Sequence, residues 1–447
     1  MVRRFPLFLL LVILSASTLH SQQWEDQTPI VEGYVTRVTS LSDFDVNGLH
    51  VIPGKKTTYL AQNNDAHWAH VVTDAPYLGQ AVAVSGDVKK KTHQLLAKDV
   101  LFHTIDIAPR SGIALVDRVL TPATPGNNPL RLLVRADGYV ILINPKTKIS
   151  FQSPLISPSD VTTNVWIQYH GQPQSDGILL ADTAVFSQNT VPDKEAKLLD
   201  KNDYDPATVD PNDKQSAASK FFLGMDPKKI PPYNDPSMQA RIDRIGSSLI
   251  PAFQRTLPDT DDRKILFKFQ LIDNHKWKDA LTLPTGIILI PYQLINRLQN
   301  DSQIATLIAD NMASALEKQS YRLMPARGTM GAANLATTAA GFFIPGVGIA
   351  TGIATYTAEK KIETNLLNQS GRVSLGLLHD AGYDINQAPI AWWILAKDAH
   401  GDLATTSLPP RAANLYQSLG TTWRNYSDAP NSPSTTPETK QTSESLP

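Results

Sequence analysis

The chain is expected to be multidomain. Its N-terminal part reads as all-β, two small barrel-like units in succession, and its C-terminal part as α+β. Three observations predict this. The 447 residues suffice for about three domains of roughly 150 residues each. Short apolar stretches of period two, broken by turns, occupy residues 28–190. After a stretch rich in Pro and Asp at 191–234, the apolar spacing becomes helical. Charge narrows the function classes: 41 basic and 42 acidic residues give a net charge of -1, so nothing favours a nucleic-acid partner or an anionic membrane surface. The absence of cysteine excludes disulfides, thiolate metal ligands, a cysteine nucleophile and a thioether-linked lipid anchor.

Residues 1–21 read as a secretory signal: Arg3 and Arg4, an apolar run over 5–14, then small and polar residues with cleavage expected after Ser17 or Ser21. The run is about half of the roughly 20 residues a membrane span needs. The mature chain is therefore expected to be exported, to the periplasm or beyond the cell, with no stable membrane span. The first β unit (28–104) carries Val31, Gly33, Val35 and Val38, then Phe44, Val46, Leu49 and Val51, then Val82 and Val84 before Gly86, then 95–102. The second (105–190) repeats its last half: VWIQYHG followed by LLADTAVF parallels AVAVSG followed by LLAKDVLF, with Phe102 and Phe186 in equivalent places. Strand pairs with a glycine at the corner suit a barrel that curls to remove its edges. The strings VEGYVT and GQAVAVSG resemble the small OB-like β domains of exported bacterial proteins. His67 and His70 beside Asp65 make an H-x-x-H pair without a third ligand, and Lys89, Lys90 and Lys91 form a solvated turn tip.

At 191–234, Asp205-Pro206, Asp210-Pro211, Asp226-Pro227 and Pro231-Pro232 oppose helix, which marks a linker. The α+β domain (235–424) opens with Asp235 as N-cap, Pro236 at the first helical position, and Met238, Ile242, Ile245 and Leu249 on one face. A strand follows with Ile265, Phe267, Phe269 and Leu271 on one side, then a Pro284-Thr285-Gly286 turn and an apolar strand at 287–290. Ile304, Leu307, Ile308, Met312 and Leu316 form the buried stripe of a helix over 301–322. Residues 328–358, without a single charge and rich in Ala, Gly and Thr, fit two short packed helices better than a membrane insert. Trp392 and Trp393 read as core, and 425–447 as a disordered tail with little to bury.

Residues 235 to about 415 carry a resemblance. MQARIDRIGSSL, FKFQLIDNHKWKDALTLPTGIILIPYQLI, NDSQIATLIADNMASALEKQSYR, LLNQSGRVSLGLLHDAGYD and TTSLPPRAANL occur in the order and spacing of five segments. Those segments belong to the HtpX and CAAX-prenyl-protease family of gluzincin zinc peptidases, including its soluble periplasmic BepA-like members. The resemblance implies a gluzincin-type α+β domain. In that family two histidines at i and i+4 on one helix and a carboxylate from a second helix hold zinc, and a glutamate beside the first histidine is the general base. Here Ala309 and Ala313 stand at the histidine positions, Asp310 at that of the base and Gln369 at that of the third ligand; Gly371 and Leu408 replace two further motif residues.

Alanine offers no donor atom, and a structural zinc site is worth about 10–16 kcal/mol, so zinc, the family's cofactor, is expected to be absent and no other cofactor is implied. His379 lies ten positions beyond Gln369, about 15 Å along a helix, too far to substitute; His275 and His400 lack a paired ligand. No G-x-S-x-G elbow, phosphate-binding loop or dinucleotide fingerprint is present. The expected function is that of an exported, catalytically inactive relative of zinc metallopeptidases. Its expected partner is an extended peptide or an envelope protein, held by strand addition near Leu283, Pro284, Gly286 and Ile288. Two alternatives stand beside it: an active zinc endopeptidase with non-standard ligands, and a structural envelope protein that binds through its β units.

Overall fold

The computed structural model describes residues 30–62, 69–104, 106, 108–123, 130–201, 230–327, 355–397 and 403–426. The signal at 1–21, Asp65, His67, His400, most of the linker and of the Ala- and Gly-rich stretch, and the tail beyond Tyr426 lie outside them.

The first unit contains β1 (Val31–Ser40), β2 (Asp43–Val46), β3 (Leu49–Gln62), β4 (Ala69–Val71), β5 (Ala81–Lys89) and β6 (Gln94–Phe102). Five of these close a circuit, β1-β2-β3-β6-β5 and back to β1, with β3 and β6 parallel and every other pair antiparallel. The second unit contains β7 (Arg110–Thr121), β8 (Leu132–Ala136), β9 (Tyr139–Ile143), β10 (Lys148–Phe151), β11 (Val165–Pro173) and β12 (Leu179–Gln188). It closes the same circuit, β7-β8-β9-β12-β11 and back to β7, again with one parallel pair, β9 with β12. Closure leaves no open edge in either circuit. Alternate residues fill each interior: Val35, Phe44, Val84, Leu95 and Phe102 in one, Val134, Ile141, Ile167, Leu179 and Phe186 in the other, all at most 2 % exposed.

The repeat runs deeper than its strands. At Gly86 and at Gly171 the ladder slips by one residue, and a Cβ there would lie 2.0 Å from the Leu96 carbonyl oxygen and 2.4 Å from that of Leu180. Only hydrogen fits, so the corner glycine of both units lets two backbones touch. The β2–β3 turn is Asn47-Gly48, with φ 50° and 76°, and the equivalent β8–β9 turn is Asp137-Gly138, with φ 55° and 70°. Both are the Asn-Gly or Asp-Gly sequence that a two-residue hairpin with left-handed central residues requires.

The remaining described chain forms α1 (Asp193–Lys201), α2 (Pro236–Leu249), α3 (Ala252–Thr256), β13 (Lys268–Ile272), β14 (Leu281–Thr282), β15 (Ile287–Pro291), α4 (Tyr292–Ile295), α5 (Asp301–Leu316), α6 (Gln319–Arg327), α7 (Thr355–Asp380), α8 (Gln387–Ala396) and α9 (Pro410–Gly420). Asp235 caps α2 by accepting from the amides of Ser237 and Met238, and Ile242, Ile245 and Leu249 are buried. One core joins α2, the inner side of the sheet, α5, α7, α8 and α9; it includes Trp392 and Trp393, each 4 % exposed.

Four expectations are corrected. The linker contains α1, which docks through Glu195: Lys318 Nζ lies 2.9 Å from its carboxylate. The helix expected over 301–322 is two helices, because Lys318 has φ 50° and Glu317 turns inward to accept from the Leu115 amide. The strand at 287–290 is not an edge: the sheet order is β13-β15-β14, with β15 parallel to β13 and antiparallel to β14. Tyr426, expected in a disordered tail, accepts a 3.0 Å hydrogen bond from Arg135.

Both barrels seat their repeated hairpin turns on the helical domain. Asn47 donates to the Thr406 carbonyl oxygen, and a Cβ on Gly48 would stand 2.8 Å from the Trp393 ring. A Cβ on Gly138 would stand 2.4 Å from Arg372 Cβ. Arg135 of β8, 1 % exposed, pairs with Asp117 at 3.0 Å and with Asp380 at 2.5 Å, joining the second barrel to the end of α7.

Candidate functional site

Helix α5 begins where the Asn300 side chain accepts from the Gln303 amide, and its apolar sequence lets it run through the middle of the core. Ala309 and Ala313 therefore fall one turn apart with Asp310 next to the first, at 0, 0 and 1 % exposure. Helix α7 packs opposite: a Cβ on Gly371 would lie 3.9 Å from Asp310 Oδ1. A buried carboxylate needs a cation, and Arg411, at the start of α9, provides it. One guanidinium nitrogen donates to Asp310 Oδ2 at 2.9 Å, another donates to Asp279, and the guanidinium carbon sits 3.7 Å from the centre of the Trp392 ring. Burial pushes the Asp310 carboxyl up, and Arg411 pulls it back. Burial works against the Arg411 cation, but the two carboxylates outweigh it and hold its pKa above the usual value.

Gln369, expected beside the two alanines, is buried but spends its amide elsewhere: it donates to the Ile113 carbonyl oxygen of the second barrel at 2.9 Å and accepts from Arg322 at 2.8 Å. Zinc does not fit this set of residues. Ala309 and Ala313 have no donor, the Gln369 amide is engaged at both ends, and Asp310 and Asp279 already share a guanidinium. Among the described residues no three His, Cys, Asp or Glu side chains are grouped to hold a metal ion. His275, 68 % exposed, pairs with Asp273, and His379, on α7, packs at a tilt against Trp423. No step of hydrolysis is assigned to Asp310, whose carboxylate is held by arginine.

Of the four residues expected to receive a peptide, Leu283, Gly286 and Ile288 are buried, whereas Pro284 is half-buried and lines a cavity of about 260 Å³. Leu283 and Ile288 are 1 and 0 % exposed. Gly286 turns with φ 94° and hydrogen-bonds through its amide to the Leu283 carbonyl oxygen, and a Cβ there would meet Ile265 at 2.3 Å. Pro284 completes this turn between β14 and β15, and the central strand leaves no free ladder for addition at Ile288.

Beside the site, burial drives the Glu317 carboxyl up to about 8, partly offset by Arg322 and by the Leu115 amide. The unfolded chain loses this proton near 4.5, so between that pH and about 8 the folded state binds the extra proton and stability falls as pH rises. Glu317→Gln is expected to flatten this fall, read as melting temperature against pH in both proteins; an unchanged slope contradicts the assignment.

Arg411, Asp279, Glu317 and the two docking turns escaped sequence reasoning. The turns alone had a local signal, in Asn47-Gly48 and Asp137-Gly138. Among the described residues no helix is long and apolar enough to cross a membrane. Searches of known protein families and of curated proteins find no match to this chain.

Proposed function

We propose that this chain is a catalytically inactive relative of zinc metallopeptidases, exported to the cell envelope, which acts by binding a polypeptide partner. The observation that carries the reading is Arg411. Its guanidinium pairs with Asp310, the residue that stands where the resemblance puts the general base, and ties that carboxylate to Asp279. A fixed guanidinium offsets one of the two negative charges, opens no coordination position and lowers the basicity of Asp310. Recognition then falls to the surfaces of the barrels and helices rather than to strand addition at Ile288. Two closed barrels docked through glycine turns make a rigid frame for it.

The test uses the purified mature chain, its zinc content, and unfolded casein with and without chelator. Casein is expected to be retained on the immobilised protein and to stay intact, with zinc far below one per chain. Stoichiometric zinc together with chelator-sensitive cleavage would overturn the inactive reading, and casein neither held nor cut would overturn the binding.

A further inference from the structure

Where the second barrel meets α7 and α9, the surfaces do not close. They leave a cleft of about 550 Å³, within the range that holds small molecules and in the interdomain position where such sites concentrate. Most of the side chains that line it are polar. Among the described residues, Arg110, Arg322 and Arg372 line it against a single acidic residue, Asp137, an excess of two positive charges. Asp137 is already spent, because one carboxylate oxygen accepts from Arg372 and the other accepts from the Tyr169 hydroxyl at 2.6 Å. Gly112 makes that arrangement possible, since a Cβ would stand 2.7 Å from Asp137 Oδ2 and 2.9 Å from the Tyr169 hydroxyl. Arg110 has its own partner outside the cleft in Asp106.

Arg322 is the cation left short. Its side chain is 14 % exposed, and its nearest carboxylate, Glu317, is 3.7 Å away. Burial pushes that carboxyl up to about 8, so at neutral pH much of it is protonated and gives Arg322 little counter-charge. A buried guanidinium without a full counter-charge favours an anion. Around it stand half-buried carboxamides, Gln168 from β11, Asn368 from α7 and Gln417 from α9, whose side chains make no hydrogen bond among the described residues. Carboxamides offer a donor and an acceptor together, which is what neighbouring hydroxyl groups take. Among the described residues the only aliphatic side chains in the lining are Ile113 and Leu366, too few to seat the apolar side chains of a peptide.

We infer that this cleft binds a small polyhydroxylated carboxylate, a sugar acid of one or two rings, with Arg322 on its carboxylate and Gln168, Asn368 and Gln417 on its hydroxyls. The site is separate from the Arg411 cluster and does not depend on the polypeptide-binding reading.

Titration calorimetry on the full mature chain tests it with glucuronate, digalacturonate and N-acetylneuraminate. The controls are galacturonate methyl ester, which lacks the charge, and acetate, which lacks the hydroxyls. At least one sugar acid is expected to bind about tenfold more tightly than either control, the factor corresponding to one charge-assisted hydrogen bond. Arg322→Gln is expected to abolish that binding. Gln168→Ala with Gln417→Ala, at half-buried positions that leave the fold intact, is expected to weaken it about tenfold. The inference is overturned if none of the three acids binds, if the ester or acetate binds equally well, or if the folded double variant binds like the parent.

Discussion

Arg411→Met is expected to destabilise the folded chain by about 3 kcal/mol, the cost of removing one partner from a buried ion pair. The substitution keeps much of the volume but leaves Asp310, 1 % exposed, beside Asp279 with no cation between them. It also removes the guanidinium stacked 3.7 Å from the Trp392 ring, a contact worth about 1 kcal/mol or more when desolvated. Without arginine the Asp310 carboxyl rises further, so the variant should regain stability as pH falls and the carboxyl takes up a proton. Adding Asp279→Asn and Asp310→Asn should restore most of the loss, because no uncompensated charge remains. Urea unfolding of the parent, the single variant and the triple variant measures this. A loss under about 1 kcal/mol for the single variant, the range of exposed pairs, would show that the cluster does not hold α5 to α9.

Gly138→Ala is expected to cost about 3 kcal/mol and to loosen the second barrel from α7. About 1–2 kcal/mol comes from forcing a residue with a Cβ into the left-handed region, where φ is 70°. The rest comes from overlap with Arg372, whose Cβ and carbonyl carbon would lie 2.4 and 2.5 Å away. Arg372 cannot retreat without giving up its hydrogen bonds to Asp137. Hydrogen exchange should show faster exchange along β8, β9 and the α7 turn around Arg372, while the first barrel stays protected. If Gly138→Ala melts with the parent, the hairpin does not bear on the helix.

Some strand positions, the corner glycines Gly86 and Gly171 and the Asp235-Pro236 helix start were legible because each is set by neighbours within a few residues. Alternation, a bulge glycine and an N-cap act over one turn or one strand pair. The break after Leu316 was not legible, since the group that draws Glu317 inward is the amide of Leu115, 202 residues away. The centrality of β15 was hidden for a related reason: its second neighbour, β14, is two residues long and too short to show a period. Of the candidate site, Ala309 and Ala313 could be placed one turn apart on a helix, with Asp310 beside the first, from spacing alone; the burial of Asp310 could not. The engagement of Gln369 with the second barrel could not, nor could the pairing of Arg411 with residues 101 and 132 positions away.

The order of two β units and an α+β domain, the positions of many of their elements and the absence of donor atoms at Ala309 and Ala313 were determined by sequence alone, because periodicity and side-chain chemistry are local. The tertiary structure decided which strand is central, what neutralises Asp310, and that repeated glycine turns seat both barrels on the helices. Those outcomes depend on burial and on charges brought together from distant parts of the chain, where desolvation makes a partner obligatory without specifying it in the neighbouring residues.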